Sequence, residues 1–314
     1  MSMLPAPAWS STETVAVGFR GAVTARLADY FELAKPRISV LVLLTVTAGF
    51  GLASPEGWEL ARLCHALLGV ALVATGSTAL NQWLERRTDA RMLRTAHRPL
   101  PDGRLLPAEV LALGIACGLC GAAWLAVFVN LQTAGLAALT YLLYVGAYTP
   151  LKRVTACCTA VGAIPGALPP VLGWTAAGGA LDMSAFTLFA LLFLWQFPHF
   201  LAIAWLYRED YARAGLRMLP ALRPARGVTG LMALVYCLAL VPVSLLPEQV
   251  GLAGSGYFLA ALVAGCWYLA ASVRFMRNEC TATARGLLWA SLAYLPLVLV
   301  ALVADHWWLL SKPG

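Results

Sequence analysis

The residue types best suited to chemistry stand together in one stretch, directly after an apolar run. Asn81, Glu85 and Asp89 are spaced four residues apart, so on a helix they share one face and span roughly 12 Å, at about 1.5 Å per residue. Amide and carboxylate oxygens are ligands of Mg²⁺, which proteins usually hold with one or two carboxylates together with substrate phosphates. Charge at a membrane boundary is costly unless it is solvated, paired or used. The spacing therefore predicts a site for Mg²⁺ and a diphosphate.

Arginines follow these acids along the chain. On an uninterrupted helix, Arg94 and Arg98 would lie roughly opposite the carboxylates. The residue before a proline disfavours the helical region, and Arg98 precedes one, so we expect the helix to end by about His97. The two arginines would then fold back over the diphosphate, whose oxygens suit a planar guanidinium group. The alternative is a solvated cluster in which Glu85 and Asp89 pair with neighbouring arginines at little energetic gain.

A second polar segment follows the sixth apolar run. Tyr207, Asp210 and Tyr211 fall at positions i, i+3 and i+4, which share one face of a helix. A single acid indicates a metal less strongly than a pair does, so this face is a candidate supplement to the first segment.

Two further features each have two interpretations. His199 lies inside the sixth apolar run, where it is either a hydrogen-bond partner between helices or a functional group, since ionisable residues within a membrane are functional candidates. Lys152 and Arg153 close the fourth run, where they either anchor the chain at the membrane surface or bind phosphate.

The composition places these segments in a membrane. Hydrophobic residues make up 61% of the 314 residues, and only 12% are charged. A spanning helix needs about 20 mainly apolar residues, and nine runs approach this length. The sequence therefore predicts an all-α polytopic membrane protein with nine transmembrane helices. They lie at about 38–54, 62–82, 107–129, 133–149, 155–176, 185–207, 228–247, 252–273 and 286–308.

The basic residues predict the orientation. With nine spans, all 22 Lys and Arg except Arg62 and Lys312 fall on the side of the N-terminus, which the positive-inside rule makes cytoplasmic. The net charge of +7 is thereby explained by topology, and nucleic acid is not expected as a partner. We expect residues 1–30 to form a cytoplasmic tail, in part disordered, and residues 31–314 to form one transmembrane domain.

Four segments, in this order along the chain, resemble the UbiA-type intramembrane prenyltransferases, and among them the branch that acts on haem. The resemblance covers roughly Lys35 to the end of the chain. The segments are Asn81-x-x-x-Glu85-x-x-x-Asp89 with Arg94-Thr-x-x-Arg98-Pro-Leu-Pro, Tyr148-Thr-Pro-Leu-Lys152-Arg153, Trp195-Gln-Phe-Pro-His199-Phe, and Tyr207-Arg-Glu-Asp210-Tyr211.

This resemblance implies nine helices around a central cavity open to lipid, in the cell inner membrane. It implies transfer of a farnesyl group from farnesyl diphosphate to the 2-vinyl group of haem B, with addition of water and release of diphosphate, to give haem O. Assembly proteins of haem-containing oxidases are possible further partners that the resemblance suggests.

The resemblance also implies roles for individual residues. By position, the metal and diphosphate ligands would be Asn81, Glu85 and Asp89, with a contribution from Asp210. The diphosphate oxygens would bind Arg94, Arg98, Lys152 and Arg153, and the substrates would further contact Tyr207, Tyr211 and His199. Gln82 and Glu85 stand where the wider family usually has aspartates, which leaves the number of metal ions open.

The sequence leaves two other functions open. A related prenyltransferase would act on an aromatic or quinone precursor, and a transporter or haem-handling membrane protein would have no enzymatic activity. His199 has three roles open to it beside haem, as an iron ligand, a partner of a propionate, or a group that handles a proton.

Overall fold

All regular structure in the described part of the chain is helical. A computed structural model describes residues 23–221 and 227–312, and no strand occurs in these ranges. A π-helical segment, Leu143–Tyr148, connects α5 to α6. The helices are α1 Val23–Leu33, α2 Pro36–Leu52, α3 Leu60–Asp89, α4 Pro107–Phe128, α5 Leu131–Leu142, α6 Thr149–Leu151, α7 Cys158–Ala167, α8 Pro169–Ala176, α9 Met183–Leu206, α10 Arg208–Arg213, α11 Val228–Gln249, α12 Ser255–Arg277 and α13 Thr281–Leu310.

The chain is a multi-pass membrane protein. In the described ranges seven helices are long and apolar enough to cross a membrane, and the continuous segment Leu131–Leu151 counts as one of them. An eighth span is obtained if α1 and α2, which meet at an angle of 51°, are taken together. The predicted all-α polytopic architecture is confirmed, whereas the predicted count of nine is not.

Two predicted segments account for the difference: the first, 38–54, lies in α2, whose 17 residues count as a span only together with α1, and the fifth is 155–176. The fifth segment consists of two short helices, α7 with 10 residues and α8 with 8 residues, neither of which alone reaches the length of about 20 residues that a span needs. Pro169 and Pro170 stand at the break and have no N–H group to donate. Every residue of α8 is buried, which agrees with the rule that broken helices occur inside a membrane only where protein or a cavity surrounds them.

The predicted cytoplasmic tail falls mostly outside the described residues. Residues 1–22 are not described, and the structure begins with α1 at Val23. The boundary between a tail and a transmembrane domain near residue 30 therefore stays a prediction.

Two glycines allow α2 and α8 to approach each other closely. A Cβ atom at Gly49 of α2 would collide with the backbone carbonyl of Pro170, and one at Gly173 of α8 would collide with the carbonyl of Val46. Small residues at helix interfaces let backbones approach in this way within membranes. The contact holds α8 against α2. Lys35, the residue before α2, lines the cavity described below.

The apolar core has two main parts. The larger cluster joins α9 with α11, α12 and α13, and its largest fully buried side chains include Tyr257, Tyr268 and Tyr294. A second cluster joins α2, α3, α4, α5 and α8 around Val46 and Val73. A smaller cluster links the loop after α3 to the segment after α9. The loops 83–106, 150–154 and 208–227, which follow the second, fourth and sixth predicted spans and are therefore predicted to share one side of the membrane, meet there.

The contact between α2 and α8 can be tested with a glycine pair. We expect Gly173→Ala to lower the thermal unfolding temperature, because overpacking of a closely packed contact costs about 1–3 kcal/mol. Gly135→Ala in α5 is the control, since an added Cβ there meets no packing neighbour among the described residues. Removing a glycine from a helix interior should leave the unfolding temperature unchanged or raise it slightly. Equal unfolding temperatures for the two purified variants would contradict the close approach.

Candidate active site

A cavity of about 220 Å³ lies where the C-terminal end of α3, the π-helical segment and the C-terminal half of α9 meet. Its wall combines a charged part with an apolar part. The charged and amide side chains are Lys35, Asn81, Glu85, Asp89, Arg94, Arg98 and Lys152. The other side chains include Ile38, Met92, Tyr144, Tyr148, Phe200, Ile203, Tyr211, Leu216 and Met218. The structure thus brings residues of all three predicted loop segments to one site.

The three proposed metal ligands lie on the last turns of α3 and are buried. The exposed fractions are 1% for Asn81, 7% for Glu85 and 1% for Asp89. The helix ends at Asp89, ahead of the predicted limit at His97, and the chain then turns back. The Oγ1 of Thr95 donates to the backbone carbonyl of Asp89 at 2.9 Å and holds this turn. This burial does not fit the alternative of a solvated charge cluster.

Each carboxylate has a cationic partner from elsewhere in the chain. The Nζ of Lys152 lies 2.8 Å from the Oε1 of Glu85, and a guanidinium nitrogen of Arg98 lies 2.7 Å from the Oδ2 of Asp89. Burial alone would lower the pKa of Lys152, but the Glu85 carboxylate beside it raises that pKa well above its ordinary value. Lys152 is therefore charged. Removing one partner of such a buried pair typically costs about 3–5 kcal/mol, because the other charge is left uncompensated.

One carboxylate oxygen of this group has no partner. The Oδ1 of Asp89 is buried and accepts no hydrogen bond from any described residue. A buried acceptor without a donor is costly, and a cation in the cavity would satisfy it. No group of three or more His, Cys, Asp and Glu side chains with the geometry of a metal site occurs in residues 23–221 and 227–312. Two carboxylates with an amide, completed by phosphate oxygens, fit Mg²⁺ better than a metal held by the protein alone.

The hydrogen bonds of Asn81 turn its amide oxygen towards Lys35. The Oγ1 of Thr149 donates to the backbone carbonyl of Tyr144 at 2.8 Å, so its lone pairs are left to accept. The Nδ2 of Asn81 donates to that Oγ1 at 3.1 Å. The Oδ1 of Asn81 consequently faces the other way, 3.4 Å from the Nζ of Lys35, where it is available as an oxygen ligand.

Lys35 is a site residue that sequence reasoning missed. In the sequence it stands only as one of the basic residues on the side of the N-terminus, yet it lines the cavity. Its backbone has φ 49° and ψ 61°, and it is the one non-glycine residue with positive φ among the described residues. Backbone strain of this kind concentrates at functional sites. The sequence signal for this role was its position directly before the proline that begins the first apolar run, on the same predicted side of the membrane as the carboxylates.

The second polar segment is divided between the cavity and its surroundings. Tyr211 lines the cavity. Asp210 accepts a hydrogen bond from Arg213 at 3.0 Å and is not part of the wall. α9 ends at Leu206, and Tyr207 is the N-cap of the separate helix α10, in which the backbone N–H of Tyr211 donates to the carbonyl of Tyr207 at 3.0 Å. The three residues thus share one helical turn, but only Tyr211 reaches the wall. The metal role of Asp210 stays a prediction.

Three other predicted residues lie beside the cavity. Tyr207 carries the guanidinium of Arg94 above its ring, at 4.8 Å from the centroid, so it supports a cation of the wall. Arg153 donates to the backbone carbonyl of Leu84 at 3.0 Å and thereby holds α3. His199 packs between α9 and α13. Phosphate binding by Arg153 and substrate contact by His199 and Tyr207 remain predictions.

The cavity is suited to a substrate with a multiply charged head and a hydrocarbon chain. Three cationic side chains, Arg94, Arg98 and Lys152, and two carboxylates line the charged part, and Lys35 adds a further positive charge when it is protonated. A polyanion therefore completes the charge balance. The rings of Tyr144 and Tyr148 lie 5.2 Å apart at its edge, and the Nζ of Lys152 lies 4.3 Å from the centroid of Tyr148. Both tyrosines belong to the π-helical segment, a conformation that is frequent at functional sites. The apolar part of the wall extends from here into the bundle.

Comparison with known proteins assigns the class. A family model described as the UbiA prenyltransferase family matches residues 42–292. The chain belongs to this family. Its fold is similar to that of a digeranylgeranylglyceryl phosphate synthase, with a TM-score of 0.76 at 16% identity over 90% of this chain and 99% of the other. It is also similar to a UbiA homolog from Archaeoglobus fulgidus bound to GPP and Mg²⁺, with a TM-score of 0.60 at 16% identity over 87% and 99% of the two chains.

More similar relatives narrow the comparison within the family. The chain is 47% identical over 287 residues to a protoheme IX farnesyltransferase of Solibacter usitatus, covering 88% of this chain and 98% of the relative. It is 44% identical over 308 residues to a protoheme IX farnesyltransferase of Koribacter versatilis, covering 95% and 99%. The resemblance drawn from four short segments is confirmed by matches over most of the chain.

The pKa of Lys35 predicts how the stability of the protein changes with pH. Burial, and then the charges of Arg98 and Lys152, lower the pKa of Lys35 from 10.5 to about 7. Between these values Lys35 is protonated in the unfolded chain but mostly neutral in the folded one. The free energy of unfolding therefore falls as pH falls from about 10 towards about 7. We expect Lys35→Met to raise the thermal unfolding temperature relative to the unsubstituted protein, by a margin that widens from about pH 10 to about pH 7.

The same substitution should weaken the affinity for a prenyl diphosphate by about tenfold or more, since hydrogen bonds to charged groups contribute about 1.5–3 kcal/mol. Arg37→Met, at an exposed position outside the cavity wall, is the control and should leave both measurements unchanged. A Lys35→Met protein with lower thermal stability and unchanged diphosphate affinity would show that Lys35 is a structural residue.

Proposed function

We propose that the chain transfers a farnesyl group from farnesyl diphosphate to the 2-vinyl group of haem B, with addition of water and release of diphosphate, to give haem O. The observation that carries this proposal is the buried, unpartnered Oδ1 of Asp89 beside Glu85 and Asn81, in a cavity with an excess of cations and an apolar wall. The protoheme IX farnesyltransferases among the relatives supply the identity of the two substrates.

The donor set of the cavity fits Mg²⁺, and we propose that Asn81, Glu85 and Asp89 hold it. When bound, Mg²⁺ would neutralise the charge that develops on the departing diphosphate. Arg98 and Lys152 already lie within 3 Å of these carboxylates, so they are placed to bind diphosphate oxygens as the carboxylates turn to the metal. Guanidinium and ammonium groups fixed in this way stabilise the leaving group without reorganisation of solvent.

The remaining wall residues serve the hydrocarbon and the allylic cation. Ile38, Phe200 and Ile203 form an apolar surface for the isoprenoid chain. Tyr144 and Tyr148 present aromatic faces next to the diphosphate position, and such faces attract a cation. An apolar surround also keeps water from capturing the allylic cation before the vinyl group attacks it.

The metal role predicts the effect of isosteric substitutions. We expect Glu85→Gln and Asp89→Asn each to reduce haem O formation by about 10²–10³-fold or more, because each removes a charge that orients the diphosphate and its metal. Insertion into the membrane should not change. Glu209→Gln is a matched control, since that side chain is 80% exposed and lies outside the wall. Comparable haem O production by the Asp89→Asn protein would contradict the metal-ligand role.

The substrates are tested with purified protein, Mg²⁺ and farnesyl diphosphate, offered either haem B or 4-hydroxybenzoate. The product mass spectrum should show farnesylation of haem B only, and a chelator should abolish it. Prenylation of the aromatic acid alone would assign the chain to the enzymes that act on aromatic or quinone precursors. Haem transport or binding that persists with chelator and without product would favour a haem-handling protein.

We also propose that the N-terminus is cytoplasmic and that the protein resides in the cell inner membrane. The asymmetry of its Lys and Arg residues supports this orientation if α7 and α8 together cross the membrane as one broken span. We propose that they do, since they lead from Cys158, which packs against Met92 and Tyr211, to Thr175, which contacts Thr133 at the start of α5.

In a background without other cysteines, an impermeant thiol reagent applied from outside should label Glu56→Cys, between α2 and α3, and should spare Cys280, between α12 and α13. The reverse labelling pattern would invert the topology. Contact with assembly proteins of haem-containing oxidases is part of the same proposal.

A further inference from the structure

The imidazole of His199 is held in one tautomer. Its Nδ1 lies 2.8 Å from the Oγ of Ser291 on α13. That hydroxyl donates its single hydrogen to the backbone carbonyl of Leu288 at 2.6 Å, as serines in helices commonly do. The Nδ1 of His199 must therefore carry the hydrogen and donate to Ser291. The Nε2 is left with a lone pair and has no hydrogen-bond partner within the described residues.

Aromatic rings fix the plane of the same imidazole. The Trp195 ring stacks on it with centroids 5.0 Å apart and an angle of 21° between the planes. The indole nitrogen of Trp195 donates to the backbone carbonyl of Ser291 at 2.9 Å, so Ser291 anchors both rings. The ring of Phe200 contacts the imidazole edge-on at a centroid distance of 5.5 Å and lines the cavity. His199 is partly exposed and lies next to Phe200 in α9, although it does not itself line the cavity.

We propose that Nε2 of His199 binds the iron of the porphyrin substrate, and that Ser291 is the positioning residue that fixes the required tautomer. The inference rests on the proposed function, because it takes haem as the substrate. A neutral imidazole is a common iron ligand. A hydrogen bond from its other nitrogen to an oxygen, as from Nδ1 to Ser291, sets the ring orientation and raises the basicity of the ligating nitrogen.

The tautomer decides against one of the other roles considered for His199. A propionate would need a donor at Nε2, whereas the fixed tautomer presents a lone pair that repels a carboxylate. Acceptance of a proton from water uses the same lone pair, but it occurs only during turnover. Binding of haem in the absence of farnesyl diphosphate therefore separates iron ligation from proton transfer.

The experiment uses the full-length protein in lipid nanodiscs, titrated with ferric haem B without farnesyl diphosphate. Absorption and electron paramagnetic resonance spectra should show a nitrogen-ligated iron in the unsubstituted protein. His199→Ala should lose this signature, and added imidazole should restore it. Metal-free protoporphyrin IX should bind both proteins equally, because it offers no iron.

Ser291→Ala should weaken the binding of ferric haem by about 10–100-fold, the usual effect of removing a group that orients a metal ligand, without changing the affinity for metal-free protoporphyrin. Ser291→Thr keeps the hydroxyl and should bind haem as the unsubstituted protein does. Ser244→Ala is the matched control, since that serine is fully buried in α11, donates to the carbonyl of Val241 in the same helix, and does not contact His199. It should show no effect.

The outcomes separate the two proposals. A protein that farnesylates haem B but whose haem spectrum is unchanged by His199→Ala would overturn iron ligation alone. Identical haem affinity of the Ser291→Ala and Ser244→Ala proteins would overturn the positioning role of Ser291. A protein that neither binds haem B nor farnesylates it would overturn the proposed function, and this inference with it.

Discussion

Two carboxylates buried at the end of a membrane-spanning helix need compensation from outside that helix, and the architecture of the site follows from this need. Glu85 obtains it from Lys152, which lies just past the π-helical segment, and Asp89 obtains it from Arg98 in the loop that turns back over α3. A carboxylate left unpaired in such surroundings would be strongly destabilising. The two ion pairs therefore join three separate parts of the chain into one charged centre.

The ion pairs do not compensate every charge of the cavity, and the groups left without a partner are available to a ligand. Arg94 adds positive charge that no carboxylate of the wall pairs, Lys35 adds more when it is protonated, and the Oδ1 of Asp89 is an acceptor that no described donor reaches. The cavity thus offers positive charge to an anion and a carboxylate oxygen to a cation. The metal diphosphate that we propose would meet both, and the ion pairs of Glu85 and Asp89 would exchange partners among groups that are already charged.

Departures from regular helix geometry give the cavity its shape. The π-helical segment places Tyr144 and Tyr148 beside Lys152, and the break between α7 and α8 lets a fully buried short helix pack against α2. The short helix α8 is buried along its whole length, as the low polarity of a membrane requires of a broken helix. Of the two irregular features, the π-helical segment is the one that lines the cavity, through Tyr144 and Tyr148.

Composition and run length determined the helical, multi-pass character of the chain, because about 20 apolar residues can satisfy their backbone in a membrane only as a helix. The four-residue spacing determined that Asn81, Glu85 and Asp89 share a face, since the helical period is local. The number of spans was not determined, because hydropathy does not register the break at Pro169. The pairing of Glu85 with Lys152, the inclusion of Lys35 and the tautomer of His199 were decided only by the tertiary structure. Each depends on groups that lie tens of residues away in the sequence, and a local pattern carries no information about which distant charge or hydroxyl will face it.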